Sequence, residues 1–117
     1  MQNNRKIGAE KERVAKEYLE KEGFLIEEMN FRCSFGEIDI IAREKNYLVF
    51  LEVKFRSSYR AGTPAEAVDW KKQKKIYKVA EYYLYHYHIP RNQPCRFDVI
   101  EIEKDVITLI RNAFGGL

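Results

Sequence analysis

Apolar residues between Ile7 and Glu22 recur at Ile7, Val14, Ala15, Tyr18 and Leu19, one side of a 3.6-residue period, and Gly23 follows as a stop. This pattern predicts an amphipathic first helix. Phe24 to Arg32 then reads as a strand. Two apolar runs, Gly36 to Arg43 and Tyr47 to Phe55, are separated only by Glu44, Lys45 and Asn46, so a β-meander with a tight second hairpin is expected. Thr63-Pro64-Ala65-Glu66 has a capping residue, a proline at the first helical position and a Glu three residues after the cap, the signature of a helix start. Asp69 offers a second start, and helical composition runs on to about His86. Ile89-Pro90 and Gln93-Pro94 mark a loop, because the residue before a proline avoids the helical region. Arg96 to Ile102 and Val106 to Arg111 read as two last strands around Lys104-Asp105. The predicted order is α-β-β-β-α-β-β.

A length of 117 residues suits one compact domain, residues 1–117, since two would each be too small to bury a good core. Hydrophobic residues at 45% beside 33% charged residues exclude a disordered or fibrous chain. Lys and Arg number 21 against 18 Asp and Glu, too small an excess to indicate nucleic-acid binding unless the charge is clustered. Cys33 and Cys95 form no CxxC pair, which excludes a zinc ribbon or disulfide framework and points to a reducing cytosol. Met1 to Lys6 has no apolar stretch of a signal peptide, and runs such as Tyr47 to Leu51 are too short to cross a bilayer. A soluble, cytoplasmic protein with no membrane partner is expected.

Tyr47 to Phe55 is apolar at both alternating sets of positions, as in a central strand covered on both faces, and only Glu52 and Lys54 interrupt it. These two share a face, and charges at the end of a buried strand are costly unless something pairs with them. Asp39 interrupts the preceding strand between Ile38 and Ile40. With Lys45 and Asn46 as the central turn residues, the hairpin register places Asp39 opposite Glu52. Two facing carboxylates repel unless a cation lies between them, and their hard oxygens suit Mg²⁺, which leaves Lys54 to orient or activate an attacking water. The alternative is a structural ion cluster in which Lys54 neutralises both acids.

Asp39, followed after a short spacer by Glu52-Val53-Lys54, resembles the PD-(D/E)xK nuclease superfamily with its restriction-endonuclease-like fold. Gly36-Glu37-Ile38-Asp39-Ile40-Ile41-Ala42, Phe50-Leu51-Glu52-Val53-Lys54-Phe55-Arg56, Arg96-Phe97-Asp98-Val99 and Asn112-Ala113-Phe114 further resemble the bacterial YraN family, over nearly the whole chain. The resemblance implies an α/β fold with a mixed central β-sheet flanked by helices. It also implies Mg²⁺- or Mn²⁺-dependent hydrolysis of phosphodiester bonds in DNA, at branched or structured sites as in Holliday-junction resolvase-like members. In those members a first-helix glutamate completes the acidic site, which puts Glu10 with Asp39 and Glu52 as metal ligands. Ile38 stands where a proline often precedes the aspartate, a mild departure because the proline carries no ligand.

Lys71, Lys72, Lys74, Lys75 and Lys78 crowd one helical segment with Gln73, after Arg56 and Arg60 in the preceding loop. Helical spacing joins Lys71, Lys74, Lys75 and Lys78 on one face, a track for phosphates or an ordinary solvated surface. Family position brings Lys72 and Gln73 toward the pocket. Tyr77, Tyr82, Tyr83, Tyr85 and Tyr87 supply core packing first, and any that are exposed can stack on bases or build a homodimer interface. Arg96 and Asp98 share a strand face and read as an ion pair with a structural role before a phosphate site. His86 and His88 fall on different helix faces, which excludes a zinc site there. The expected activity is a metal-dependent endonuclease with DNA as partner. The alternative is a non-catalytic nucleic-acid- or protein-binding module that retains the nuclease fold.

Overall fold

The computed structural model of the chain describes residues 4–56 and 68–115. In chain order the elements are α1 (Asn4–Lys21), β1 (Leu25–Cys33), β2 (Gly36–Glu44), β3 (Tyr47–Arg56), α2 (Trp70–His86), β4 (Cys95–Glu103) and β5 (Val106–Phe114), the order expected from the sequence. Gly23 ends the first helical segment at φ +102°, a conformation that costs glycine little. Of the two helix starts, Asp69 is the N-cap of α2, its carboxylate accepting the Lys72 N–H at 2.8 Å. Thr63 to Glu66 lies outside the described residues.

The strands form one five-stranded sheet in chain order. β1, β2 and β3 are antiparallel neighbours, β3 and β4 are parallel, and β4 and β5 are antiparallel, so the sheet is mixed. The parallel pair requires a crossover, and α2 lies within it. On one face Ala15 and Leu19 of α1 pack with Phe24 against Ile40, Ala42, Val49, Leu51, Val53, Ile100 and Ile102. On the other, Ile76, Val79, Ala80 and Tyr83 of α2 pack against Ile38, Ile41, Leu48, Phe50 and Val99. Cover on both faces is why β3 is apolar at both alternating sets of positions. Among the described residues no helix is long and apolar enough to cross a membrane.

Arg96 and Asp98 anchor the last strands. Asp98 is fully buried and accepts two bonds from Arg96, at 2.9 and 2.8 Å, and one from the Asn112 N–H at 2.9 Å. Arg96 Nη2 also reaches Glu44 Oε1 at 2.6 Å, and Arg111 Nη2 reaches Glu44 Oε2 at 2.6 Å. The pairing of β5 shifts between Phe97↔Phe114 and Val99↔Ile110, and Asn112 takes φ +54° there. This bulge, held by Asp98, carries the strand past the expected end at Arg111 to Phe114, whose ring stacks on Phe97 with centroids 5.5 Å apart.

Hydrogen bonds from Arg111 and then Arg96, opposed by burial, hold the Glu44 carboxyl down to about 2, below its ordinary 4.5. A depressed acid stabilises the fold above its unfolded value and loses that contribution as pH falls toward the folded one. Wild-type melting temperature should therefore drop between pH 4.5 and 2 more steeply than that of Glu44→Gln, which starts lower at pH 7. Thermal unfolding followed by circular dichroism across this range checks it, and parallel curves would contradict it.

Candidate active site at the ends of β2 and β3

The register of β2 on β3 runs as expected from Glu44↔Tyr47 to Ile40↔Leu51, but backbone pairing stops one pair before Asp39 would meet Glu52. Ile38 packs in the α2 layer while Ile40 packs in the α1 layer, although residues two apart on a regular strand share a face. The strand therefore changes phase at Asp39. On β1, Asn30 falls opposite this point, between the pairs Met29↔Ile40 and Phe31↔Ile38, and takes φ +54°. Where the ladder stops, the Val53 N–H donates to Asp39 Oδ2 at 2.8 Å, so the side chain accepts what a strand carbonyl would have accepted.

Glu52 is buried on the α2 face of β3 and forms an ion pair with Lys72 Nζ. Lys54 is half-buried on the same face and is electrostatically coupled to Lys72. Burial first, then Lys72, lowers the pKa of Lys54. Burial works the same way on Lys72, but its contact with the Glu52 carboxylate and its neighbour Lys54 outweigh that and raise its pKa. Asp39 is pushed up to about 7 by burial and then by the charge of Glu52, against the lowering effect of the Val53 bond. Asp39, Glu52, Lys54 and Lys72 are thus electrostatically linked, with one acid and one base displaced toward their neutral forms.

The other expected site residues are placed as follows. Glu10 is exposed and bound to Arg13, one turn along α1, and is not brought to Asp39 and Glu52. The apolar stripe of α1 faces the opposite side of the sheet, although Lys11 Nζ lies 5.1 Å from the Phe55 ring centroid at the same end. Gln73 donates to the Val68 carbonyl at 2.9 Å and secures the entry to α2, so of the pair Lys72 and Gln73 it is Lys72 that reaches Glu52. Arg56 is the last residue of β3, not part of a loop, because the parallel ladder with β4 continues to the Arg56↔Glu103 pair. Its Nε lies 2.8 Å from Glu101 Oε2. Arg60 is outside the described residues. Lys71, Lys74, Lys75 and Lys78 are all exposed along α2, whereas Tyr77 and Tyr83 are buried core residues and Tyr85 is exposed.

Glu101 is the site neighbour that sequence reasoning missed. It is buried opposite Lys54 on β4. Its signal was the one that marked Glu52, a lone charge inside an apolar run, here Val99-Ile100-Glu101-Ile102.

Among the described residues no three His, Cys, Asp or Glu side chains converge into a metal cage. Asp39 and Glu52 still fit a hard divalent ion, because Mg²⁺ uses one or two carboxylates and takes its remaining ligands from water and substrate phosphate.

Fold and site together define an α/β protein with an acidic pair and two linked lysines at the end of its central strand. The profile of the uncharacterised protein family UPF0102 matches residues 11–102. A UPF0102 protein of Lachnoclostridium phytofermentans is 48% identical over 114 residues, which cover 97% of each chain. A UPF0102 protein of Clostridium botulinum is 46% identical over 117 residues, covering 95% of each. The chain belongs to the UPF0102 family, the YraN family that its motif blocks resemble.

An acid raised from 3.8 to about 7 weakens the fold as pH rises through that interval, since the native state then holds a proton that the unfolded chain has released. In chelator, Asp39→Asn should remove this loss while keeping an acceptor for Val53. The variant should melt above wild type at pH 8, and the difference should shrink toward pH 5. A variant that melts lower at pH 8 would show that the charge of Asp39 is structurally required.

Proposed function

We propose that the chain is a divalent-metal-dependent endonuclease that hydrolyses phosphodiester bonds in DNA, with branched or structured DNA as its targets, in the cytoplasm. The observation that carries this is the convergence of Asp39 and Glu52 beside a Lys54 displaced toward its neutral form. Each member has a role that hydrolysis needs. Mg²⁺ or Mn²⁺ held by Asp39 and Glu52 would stabilise the charge that develops on the phosphodiester. Lys54 accepts a proton from, or orients, the attacking water. Lys72 balances Glu52 and keeps positive charge beside the scissile phosphate. Lys71, Lys74, Lys75 and Lys78 form an exposed basic track whose phosphate contacts would give salt-dependent affinity without sequence preference. A supporting role for Glu10 rests on the resemblance alone.

A non-catalytic binding module is the second reading, favoured by the Glu52–Lys72 ion pair, which balances the cluster without a metal. Linear, supercoiled, single-stranded and branched DNA incubated with Mg²⁺, with Mn²⁺ and with chelator separate the two. Cleavage is expected with either metal and not in chelator. It should be abolished in Asp39→Asn and Glu52→Gln and slowed about 10²- to 10⁴-fold in Lys54→Ala, the usual range for a proton-transfer group. Cleavage that persists in Asp39→Asn would overturn the assignment, and binding without cleavage under every condition would establish the binding module.

A further inference from the structure

Trp70, the single tryptophan of the chain, is the first residue of α2 and is 54% exposed. It opens the first turn of α2, and that turn is fixed at its cap. The Asp69 carboxylate accepts from Lys72 N–H at 2.8 Å, and the Asp69 carbonyl accepts from Gln73 N–H at 2.9 Å. The indole is also supported from below. Its centroid lies 6.4 Å from that of Tyr77 at 70° between planes, and buried Tyr77 in turn meets Phe97 edge-on at 4.9 Å and Phe114 at 6.0 Å. Lys74 Nζ sits 5.3 Å from the indole centroid, and Lys71 and Lys75 are exposed nearby on the same helix. A large aromatic surface is therefore held in water beside the cations of the helix.

We propose that Trp70 is a stacking platform for an unpaired nucleobase of the bound DNA. The substrate class is then DNA with an unstacked base, such as a single strand, a flap or a branch point, in preference to continuous duplex. This rests on the nuclease reading and deepens it. In a continuous duplex each base face is already covered by its neighbours, so only the lysines can contribute. An unpaired base offers its face to the indole, while Lys71, Lys74 and Lys75 meet the adjoining phosphates. The rigid support from Tyr77 limits the ordering cost of making the stack.

Because the chain has one tryptophan, its emission reports this contact alone. An unlabelled thymidine oligonucleotide and a blunt duplex of equal length are titrated into the full chain in chelator, with binding followed in parallel by the anisotropy of labelled copies. The single strand should quench the emission strongly and the duplex weakly. Trp70→Ala should bind the single strand about 5- to 150-fold more weakly, the measured range for loss of one base stack. Its duplex affinity and melting temperature should stay unchanged, and Trp70→Phe should recover most of the single-strand affinity. Single-strand binding without quenching, or undiminished in Trp70→Ala, overturns the stacking role and leaves the nuclease reading intact. Absence of binding to either DNA at low salt overturns both, and a variant that loses duplex affinity equally shows a role in the helix instead of in stacking.

Discussion

The hydrogen bond from the Val53 N–H to Asp39 Oδ2 is the interaction on which the site depends. A strand leaving a buried sheet strands the backbone donors of its neighbour, and each unpaired buried donor costs about 1–3 kcal/mol. Here β2 shifts phase at Asp39 and the ladder with β3 ends at Ile40↔Leu51, yet the donor is met by a carboxylate. The same geometry that allows β2 to part from β3 aims Asp39 toward Glu52. Without the phase change Asp39 would be an ordinary ladder residue, and without the acceptor the parting would be expensive.

The two polar clusters of the protein show what that placement achieves. Around Asp98 and Glu44, two arginines with rigid planar forks make repeated bonds to two carboxylates, and the outcome is a depressed Glu44 and a raised Arg96. Glu44 and the two arginines are each stabilised in their charged forms, as a structural anchor requires. Around Asp39 and Glu52 the cations are flexible lysines, and one acid is raised while one base is lowered. Groups displaced toward neutrality can gain a cation or a proton during a reaction, which a saturated arginine network cannot do. The contrast supports the proposed chemistry at the Asp39–Glu52 cluster and an architectural role for the Asp98–Glu44 cluster.

Much of this was legible in the sequence because it follows from local rules. Hydrophobic periodicity marked every described helix and strand, Asp69 announced its cap, and the turn at Lys45-Asn46 set the β2–β3 register. The exceptions are non-local. The phase change at Asp39 comes from Ile38 finding the α2 layer, and the bulge that extends β5 to Phe114 is held by Asp98 from another strand. Glu10 is expected from the family resemblance alone, but Arg13 captures it and α1 lies across the other face. The apolar run ends at Phe55 and so leaves Arg56 to the loop, whereas the parallel ladder with β4, invisible to single-strand patterning, keeps it in the sheet.

If Asp39 and Glu52 hold a cation as proposed, they bind it whether or not the substrate is known. The melting temperature of metal-stripped wild type and Asp39→Asn during a Mn²⁺ titration is the measurement to make. A ligand bound only by the native state stabilises it by about 2.7 kcal/mol at a hundredfold excess over its Kd. The wild-type melting temperature should climb with Mn²⁺ while that of Asp39→Asn barely moves. A wild type indifferent to millimolar Mn²⁺, beside an Asp39→Asn variant that is less stable than wild type without metal, would mean that Asp39 and Glu52 form a structural ion cluster and not a metal centre.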